Sequence, residues 1–475
     1  MEQPIDATCI RHRRTVRGQA ALALLLVLTA TCTLPAAHAG PGELAATPPM
    51  GWNSWDAYGL TIDEADFKAN AAVLASLAGN GWRHAVIDEG WYMRDPFGKD
   101  LASRDYQLDR HGRLVPAVER FPSARRSAGL RPLADWTHSQ GLKFGIHILR
   151  GIPKAAATGN GRIEGSRYRL ADAADVEATC PWDDGNFGIL DNAAGQAYYD
   201  SLFRLYAAWH VDFVKVDCIA DHPYRPTEIR QIAAAIARAG RPMVLSLSPG
   251  PTDPAHAVEV ARYAHMWRIS DDIWDGWTFE HDTPGSNFPA GVVTAFDNLA
   301  QWAPHAGPGH WPDADMLPFG SLAPHPGWGQ PRVSRLTRDE QQTQFVLWSI
   351  ARSPLILGGN LTELDPYTRS LLENKALIEL NQGNWRAHPV AVLPPELPEA
   401  RAWVAEPATG NASDRVVALF NLGSSPATWR VSWRSLGLEP PRTAVVDLLK
   451  GGQLAPGDTI EVQVAAHGSV VYRLH

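Results

Sequence analysis

The sequence predicts an α/β fold: a (β/α)8 TIM barrel followed by a C-terminal antiparallel β-sandwich domain. Three observations carry that expectation. Over residues 43–385, short apolar runs alternate with amphipathic helical stretches. Acids recur at the ends of those runs. Past Gly383 the helical pattern stops and only strand-like segments remain, assigned to a second domain over 388–475. Strand–helix alternation calls for parallel strands joined by helical crossovers, and eight such units close into a barrel.

In chain order, "MGWNS" (50–54) opens the barrel. Thr61 to Ala78 reads as a crossover helix. Thr61 and Glu64 stand at capping-box spacing, Phe67, Ala71, Leu74 and Leu77 share a face, and Gly79 suits the stop. "HAVID" (84–88), "LKFGIHIL" (142–149), "DFVKVD" (212–217), "PMVLSLS" (242–248) and "HMWRIS" (265–270) supply strands two to six. Each is short, apolar and bounded by turn residues. A long insertion, 151–187, follows the third strand, and "TEIRQIAAAIARAG" (227–240) is a helix ending at Gly240. Strand seven is expected near the Ala306–Gly309 turn, and "SPLILGG" (353–359) is the eighth. After the proline-rich "PVAVLPPELPEARAW", strands are expected at 415–422, 427–433, 443–449, 459–464 and 468–475. They form a small sandwich whose expected role is packing against the barrel.

Composition narrows the function classes. The chain has 475 residues, 45% hydrophobic and 20% charged, which suits a globular protein. Residues 1–39 read as a signal peptide: Arg11, Arg13, Arg14 and Arg17, an apolar run from Ala20 to Ala30, then "AHA" ending at Ala39. A secreted or periplasmic product is expected, and no later stretch is long and apolar enough to span a bilayer. The formal charge is −8, and removing the leader takes four arginines against Glu2 and Asp6, leaving the remainder more acidic still. Nucleic acid and anionic membrane are therefore poor partners; a homodimer stays open. Cys180 and Cys218 remain after the leader, and an oxidising compartment fits either a disulfide between them or two buried thiols. There is no CxxC pair, no clustered histidine spacing and no cofactor fingerprint, so neither metal nor cofactor is expected. "NLT" (360–362) and "NAS" (411–413) are glycosylation sequons, meaningful only in a eukaryotic host.

The acids gather where a barrel does its chemistry, at the C-terminal ends of strands. Asp88 and Glu89 end the second strand, Asp217 the fourth; Asp271 and Asp272 follow the sixth, Asp313 and Asp315 the seventh. Strand alternation puts Phe213, Lys215 and Asp217 on one face, rising from the barrel interior to its mouth. A buried ion pair alone is a weak reason for such residues, because desolvation offsets the attraction. Two carboxyls facing one pocket suit glycoside hydrolysis, and Lys215 beside Asp217 would keep a nucleophile ionised. Trp52, Trp55, Trp91, Trp267 and Trp311 are either walls for a sugar ring or barrel core. Two other classes compete: a catalytically inactive carbohydrate-binding barrel, which would have lost one of the acids, and a metal-dependent hydrolase.

The segments "PPMGWNSWDAYG", "VIDEGWY", "DFVKVDC", "MWRISDDI", "GPGHWPDADML" and "QFVLWSIARSPLILGGNL" resemble, in order, glycoside hydrolase family 27, the melibiase-type retaining α-galactosidases and their relatives. The resemblance implies an oligosaccharide or polysaccharide substrate cleaved by double displacement at a terminal α-D-galactosyl residue. It implies Asp217 as nucleophile and Asp272 as acid/base, about 5–5.5 Å apart. Asp271 stands where the family often has a small residue and takes no catalytic role. Trp55 matches the tryptophan beneath the sugar, and Asp88, Lys215, Arg268 and Asp315 match hydroxyl contacts. Cys180 and Cys218 resemble a family cysteine pair near the site. Three positions depart from the family pattern. Glu89 replaces an aspartate and crowds the room of the C6 hydroxymethyl, as in members that cleave β-L-arabinopyranosides. His147 replaces a tyrosine. "SLSPGP" replaces a bulky acidic segment, so that Ser248 and Gly250 leave space at the 2-position, as in α-N-acetylgalactosaminidases.

Overall fold

The computed structural model describes residues 44–98, 104–281, 288–324, 329–393, 395–409, 414–441 and 443–475. The expected leader and the "NAS" sequon lie outside the described residues. Eight parallel strands form one sheet: β1 (Met50–Asn53), β2 (His84–Ile87), β3 (Lys143–Leu149), β4 (Phe213–Asp217), β5 (Val244–Leu247), β6 (Met266–Arg268), β7 (Trp311–Asp313) and β8 (Leu355–Leu357). Neighbours in the sheet are neighbours in the chain, and β1 also pairs with β8. A parallel bridge between Leu317 and Leu357 joins the end of the β7 segment to β8 and closes the curl. Strand seven lies just beyond the Ala306–Gly309 turn; that turn instead folds back through Gly307 and His310.

Register sets what the interior contains. Val86, Phe213, Val244, Met266 and Trp311 meet at the lower end of the barrel, with Ala45 across them. Gly145 leaves room there, since a Cβ on it would stand 2.8 Å from a Val86 methyl and 3.1 Å from the Phe213 Cβ. One pleat higher, Lys215 pairs with His147 on β3 and Ser246 on β5, so the interior turns polar toward the mouth.

The crossover helix after β1 runs Glu64–Leu77 and buries Phe67, Ala71, Leu74 and Leu77. Its cap differs from expectation. Asp63 accepts from the Asp66 amide, while Thr61 sits in a preceding 3-10 turn and donates to the Tyr58 carbonyl. Glu64 turns away to accept from the Ser123 amide at 2.8 Å. The stop is Gly81 (φ 102) rather than Gly79, because the chain adds a 3-10 turn before reversing. The helix Pro226–Arg238 ends as expected before Gly240 (φ 75).

The 151–187 insertion is a small sheet of Ile152–Pro153, Asn186–Ile189 and Ala174–Thr179. Cys180, within the insertion and just past the strand Ala174–Thr179, is disulfide-bonded to Cys218, immediately after β4.

The C-terminal region has a six-stranded antiparallel sheet and a separate pair, Ala427–Ser432 with Thr459–Val464. Two strands lay hidden around the proline-rich stretch, Trp385–Pro389 and Ala400–Pro407. Helix Arg338–Ala351 packs between barrel and sandwich: Thr343 donates to the His467 carbonyl, Gln342 to that of Ser469. Among the described residues no helix is long and apolar enough to cross a membrane.

Candidate active site

A cavity of about 490 Å³ opens at the C-terminal ends of the barrel strands. Seven of the residues singled out in the sequence line it: Trp55, Asp88, Glu89, Lys215, Asp217, Ser248 and Asp272. Asp271 lines it as well. His147, Arg268 and Asp315 stand behind that lining, each almost wholly buried; His147 reaches the site through Asp217, Arg268 through Asp272, and Asp315 through Arg268.

Asp217 ends β4 with its Oδ1 accepting from the Cys218 amide at 2.6 Å and its Oδ2 3.3 Å from His147 Nε2. Burial pushes this carboxyl up. The hydrogen bond and charge of His147, then Lys215 and the Cys218 amide, outweigh burial and hold it below the usual carboxylate range. Lys215 is therefore the lesser influence on Asp217. Its Nζ donates to Asp88 Oδ2 at 2.9 Å, an oxygen that also accepts from Asn53 at 2.6 Å. Against the opposing pull of burial, Lys215 is held above the ordinary lysine value by Asp88 and Asp217. Asp88 is correspondingly held far below the carboxylate range by Lys215 and His147 despite its burial.

Across the mouth, Asp272 Oδ1 accepts from Arg268 at 3.1 Å, and the same guanidinium nitrogen lies 2.8 Å from Asp315 Oδ2. Asp315 also accepts from the Ile273 amide at 2.7 Å, which ties the β7 end to the Asp272 loop. Burial raises the Asp315 carboxyl; Arg268 opposes this, while Asp272 and Asp313 reinforce it. Cys218 (φ 62) and Asp315 (φ 84) both hold left-handed backbone beside these carboxylates. For non-glycine residues that conformation costs of order 1–3 kcal/mol each, and it concentrates where a site must be aimed.

Two expectations need correction. Of the five tryptophans considered as sugar walls, Trp52, Trp91, Trp267 and Trp311 are fully buried core and only Trp55 faces the cavity. Gly250 does not open the pocket: a Cβ there would stand 2.5 Å from the Ser270 carbonyl oxygen, so its smallness serves backbone packing. Ser248 does line the cavity.

Sequence reasoning missed Trp182 and Asp183, which the insertion brings to the cavity, and Arg104, His222 and Met316. The cysteines held the signal: if Cys180 bonds Cys218, the following "PWDDG" must lie beside Asp217. It also missed Asp56, a buried carboxyl whose Oδ2 has no hydrogen-bond partner. Burial raises it well above the carboxylate range, and Asp315 and Asp272 add to the effect. At the opposite end of the barrel Asp135, His138 and His210 place potential ligand atoms within 4.8 Å of one another, a cluster that sequence spacing hid. His210 is engaged by Asp135 at 2.7 Å and His138 by Asp212 at 2.6 Å.

Comparison with known proteins places this geometry in context. The family profile described as Alpha galactosidase A matches residues 47–182 and 182–383. The profile of the Alpha galactosidase C-terminal beta sandwich domain matches 398–474. Alpha-galactosidase A of Cellvibrio japonicus is 30% identical over 371 residues, 77% of this chain and 75% of that protein. Alpha-galactosidase 3 of Arabidopsis thaliana is 30% identical over 439 residues, 91% of this chain and 82% of that one. The crystal structure of a GH27 β-L-arabinopyranosidase from Geobacillus stearothermophilus superposes with a TM-score of 0.83 and 39% identity, covering 91% of this chain and 97% of that one.

Proposed function

Because the chain belongs to glycoside hydrolase family 27, the melibiase-type family, we propose that it is an exo-acting retaining glycosidase releasing terminal α-D-galactosyl residues, and that Asp217 and Asp272 carry the chemistry. The supporting observation is two carboxyls of unlike surroundings lining one cavity, Asp217 tied to His147 and Asp272 to Arg268. Asp217 attacks the anomeric carbon while Asp272 gives its proton to the departing oxygen, leaving a glycosyl ester on Asp217. Asp272 then takes a proton from water, which attacks the same carbon and frees Asp217. Trp55 offers an apolar face to the ring, and the Asp88–Lys215 pair offers an acceptor and a donor to hydroxyls. The leader sequence and the disulfide support action outside the cytoplasm.

NMR of the first product from an aryl α-galactoside tests the mechanism. Retained configuration is expected, and an inverted first product would overturn it. Azide gives a sharper assay. Added to Asp272→Ala it should yield a glycosyl azide of retained configuration; added to Asp217→Ala, one of inverted configuration.

A second reading is favoured by a specific residue. Glu89 lines the cavity where the family commonly has aspartate, and the Geobacillus enzyme of similar structure is a β-L-arabinopyranosidase. β-L-Arabinopyranose is α-D-galactose without the hydroxymethyl. Glu89→Asp should raise the kcat/KM ratio of galactoside over arabinopyranoside.

A further inference from the structure

Glu89 does not stand alone at its wall of the cavity. Asp183 lines the same cavity. Tyr92, beside the Glu89 carboxyl, and Tyr106, beside that of Asp183, pack ring against ring with centroids 4.9 Å apart, which brings the two acids together, and Asp183 acts on the Glu89 carboxyl as a hydrogen-bond partner and as a charge. Asp183 is firmly held. Its Oδ1 accepts from the Gly185 amide at 2.8 Å and its Oδ2 from Tyr106 Oη at 3.2 Å, with the Arg104 guanidinium 4.0 Å away. The disulfide ties this segment to the strand that carries Asp217. Glu89 has less support: Tyr92 Oη lies 3.5 Å from its Oε1.

Two carboxylates in contact repel, so the contact requires a proton between them. The surrounding charges agree. Asp88 and Asp217 add negative field at Glu89, and the nearby Lys215 is engaged by Asp88. Burial and these acids together push the Glu89 carboxyl up. With one proton shared, the contact becomes an O–H···O⁻ bond, among the stronger hydrogen bonds available to side chains.

We propose that Asp183 is a positioning residue for sugar selectivity: sharing a proton with Glu89, it holds the Glu89 side chain against the room that the C5 hydroxymethyl of galactose needs. The selector is then an acid pair rather than Glu89 alone. The inference rests on the proposed glycosidase reading and adds a residue from outside the barrel strands. It also carries a pH consequence. When the shared proton leaves, the carboxylates separate and Glu89 loses its brace, so discrimination against the hydroxymethyl weakens as pH rises.

The test measures kcat/KM for p-nitrophenyl α-galactoside and p-nitrophenyl β-L-arabinopyranoside across pH, in the native enzyme, Asp183→Ala and Asp183→Asn. The native galactoside-to-arabinopyranoside ratio should climb with pH. Asp183→Ala should raise that ratio about tenfold at low pH, chiefly through a lower galactoside KM, and flatten its pH dependence. Asp183→Asn, whose amide donates to Glu89 without a shared proton, should return the ratio to the native low-pH value at every pH. Asp183→Ala losing both activities equally, with Asp183→Asn failing to restore either, would show a merely structural role and overturn the proposal. An unchanged ratio in Asp183→Ala, or a native ratio flat in pH, would overturn it as well. Absence of turnover on both substrates by the native enzyme would sink the glycosidase reading itself, a distinguishable outcome.

Discussion

The lower and upper ends of the barrel strands do opposite work within two residues of each other. On β4, Phe213 packs with Val86, Val244, Met266 and Trp311, while Lys215, on the same face, holds Asp88, and Asp217 above it meets His147. The β6 strand repeats the change from Met266 below to Arg268 above. The lower layer loses little by desolvation and contributes stability at roughly 25 cal/mol per Å² of apolar surface buried. The upper layer concentrates charges whose desolvation is only offset by their neighbours. Alternation along a strand makes the division sharp, since every second side chain enters the same interior column. Stability and chemistry are thereby separable by position on a single strand.

The largest expected effect tests the upper end. Asp217→Ala should cut kcat by roughly ten-thousand-fold with a melting temperature equal to or above that of the native protein. A large fall in melting temperature would show that the mouth also carries stability. Two pleats lower, Phe213→Ala should destabilise by about 3–5 kcal/mol, read as a shift of the denaturant midpoint, while the folded fraction keeps its kcat. Loss of kcat in step with stability would erase the division between the two ends.

His147→Gln sharpens the comparison electrostatically. Glutamine can still hydrogen-bond Asp217 but carries no charge, so the Asp217 carboxyl should rise. The acid limb of kcat/KM should then move up by about one pH unit. An unmoved limb would return the main influence to Lys215, as first read from the sequence.

The smallest effect concerns Asp56. Its folded carboxyl is raised above the unfolded value, so the folded state binds the extra proton between those two values. Stability should therefore fall as pH rises from the ordinary carboxylate range toward the raised value. Asp56→Asn removes that titration, and midpoints of urea unfolding against pH should become flatter over the window. A native-like slope in this variant would assign the pH dependence to Asp315 or Glu89 instead.

Much of this was legible in the chain itself. Strand positions, their parallel order and the acids at their ends follow from local periodicity and turn residues, which act over a few neighbours. The first helix cap was misread because Thr61–Glu64 and Asp63–Asp66 both fit a capping spacing, and only the packing of Glu64 against Ser123 separates them. The tryptophans were ambiguous for a similar reason: an indole fits a core and a sugar wall equally well by composition, and burial decides.

By itself the sequence determined that Asp217 ends one strand of the barrel and that Asp272 follows another, because alternation and strand count are local properties. Only the tertiary structure decided which groups adjust those acids, His147 rather than Lys215 as the main influence on Asp217 and Arg268 shared between Asp272 and Asp315, and that a disulfide-tied insertion brings Asp183 into the cavity that Glu89 lines. Electrostatic influence falls with distance through space and is indifferent to distance along the chain, so its partners become visible only once the crossovers and the insertion have folded back over the mouth.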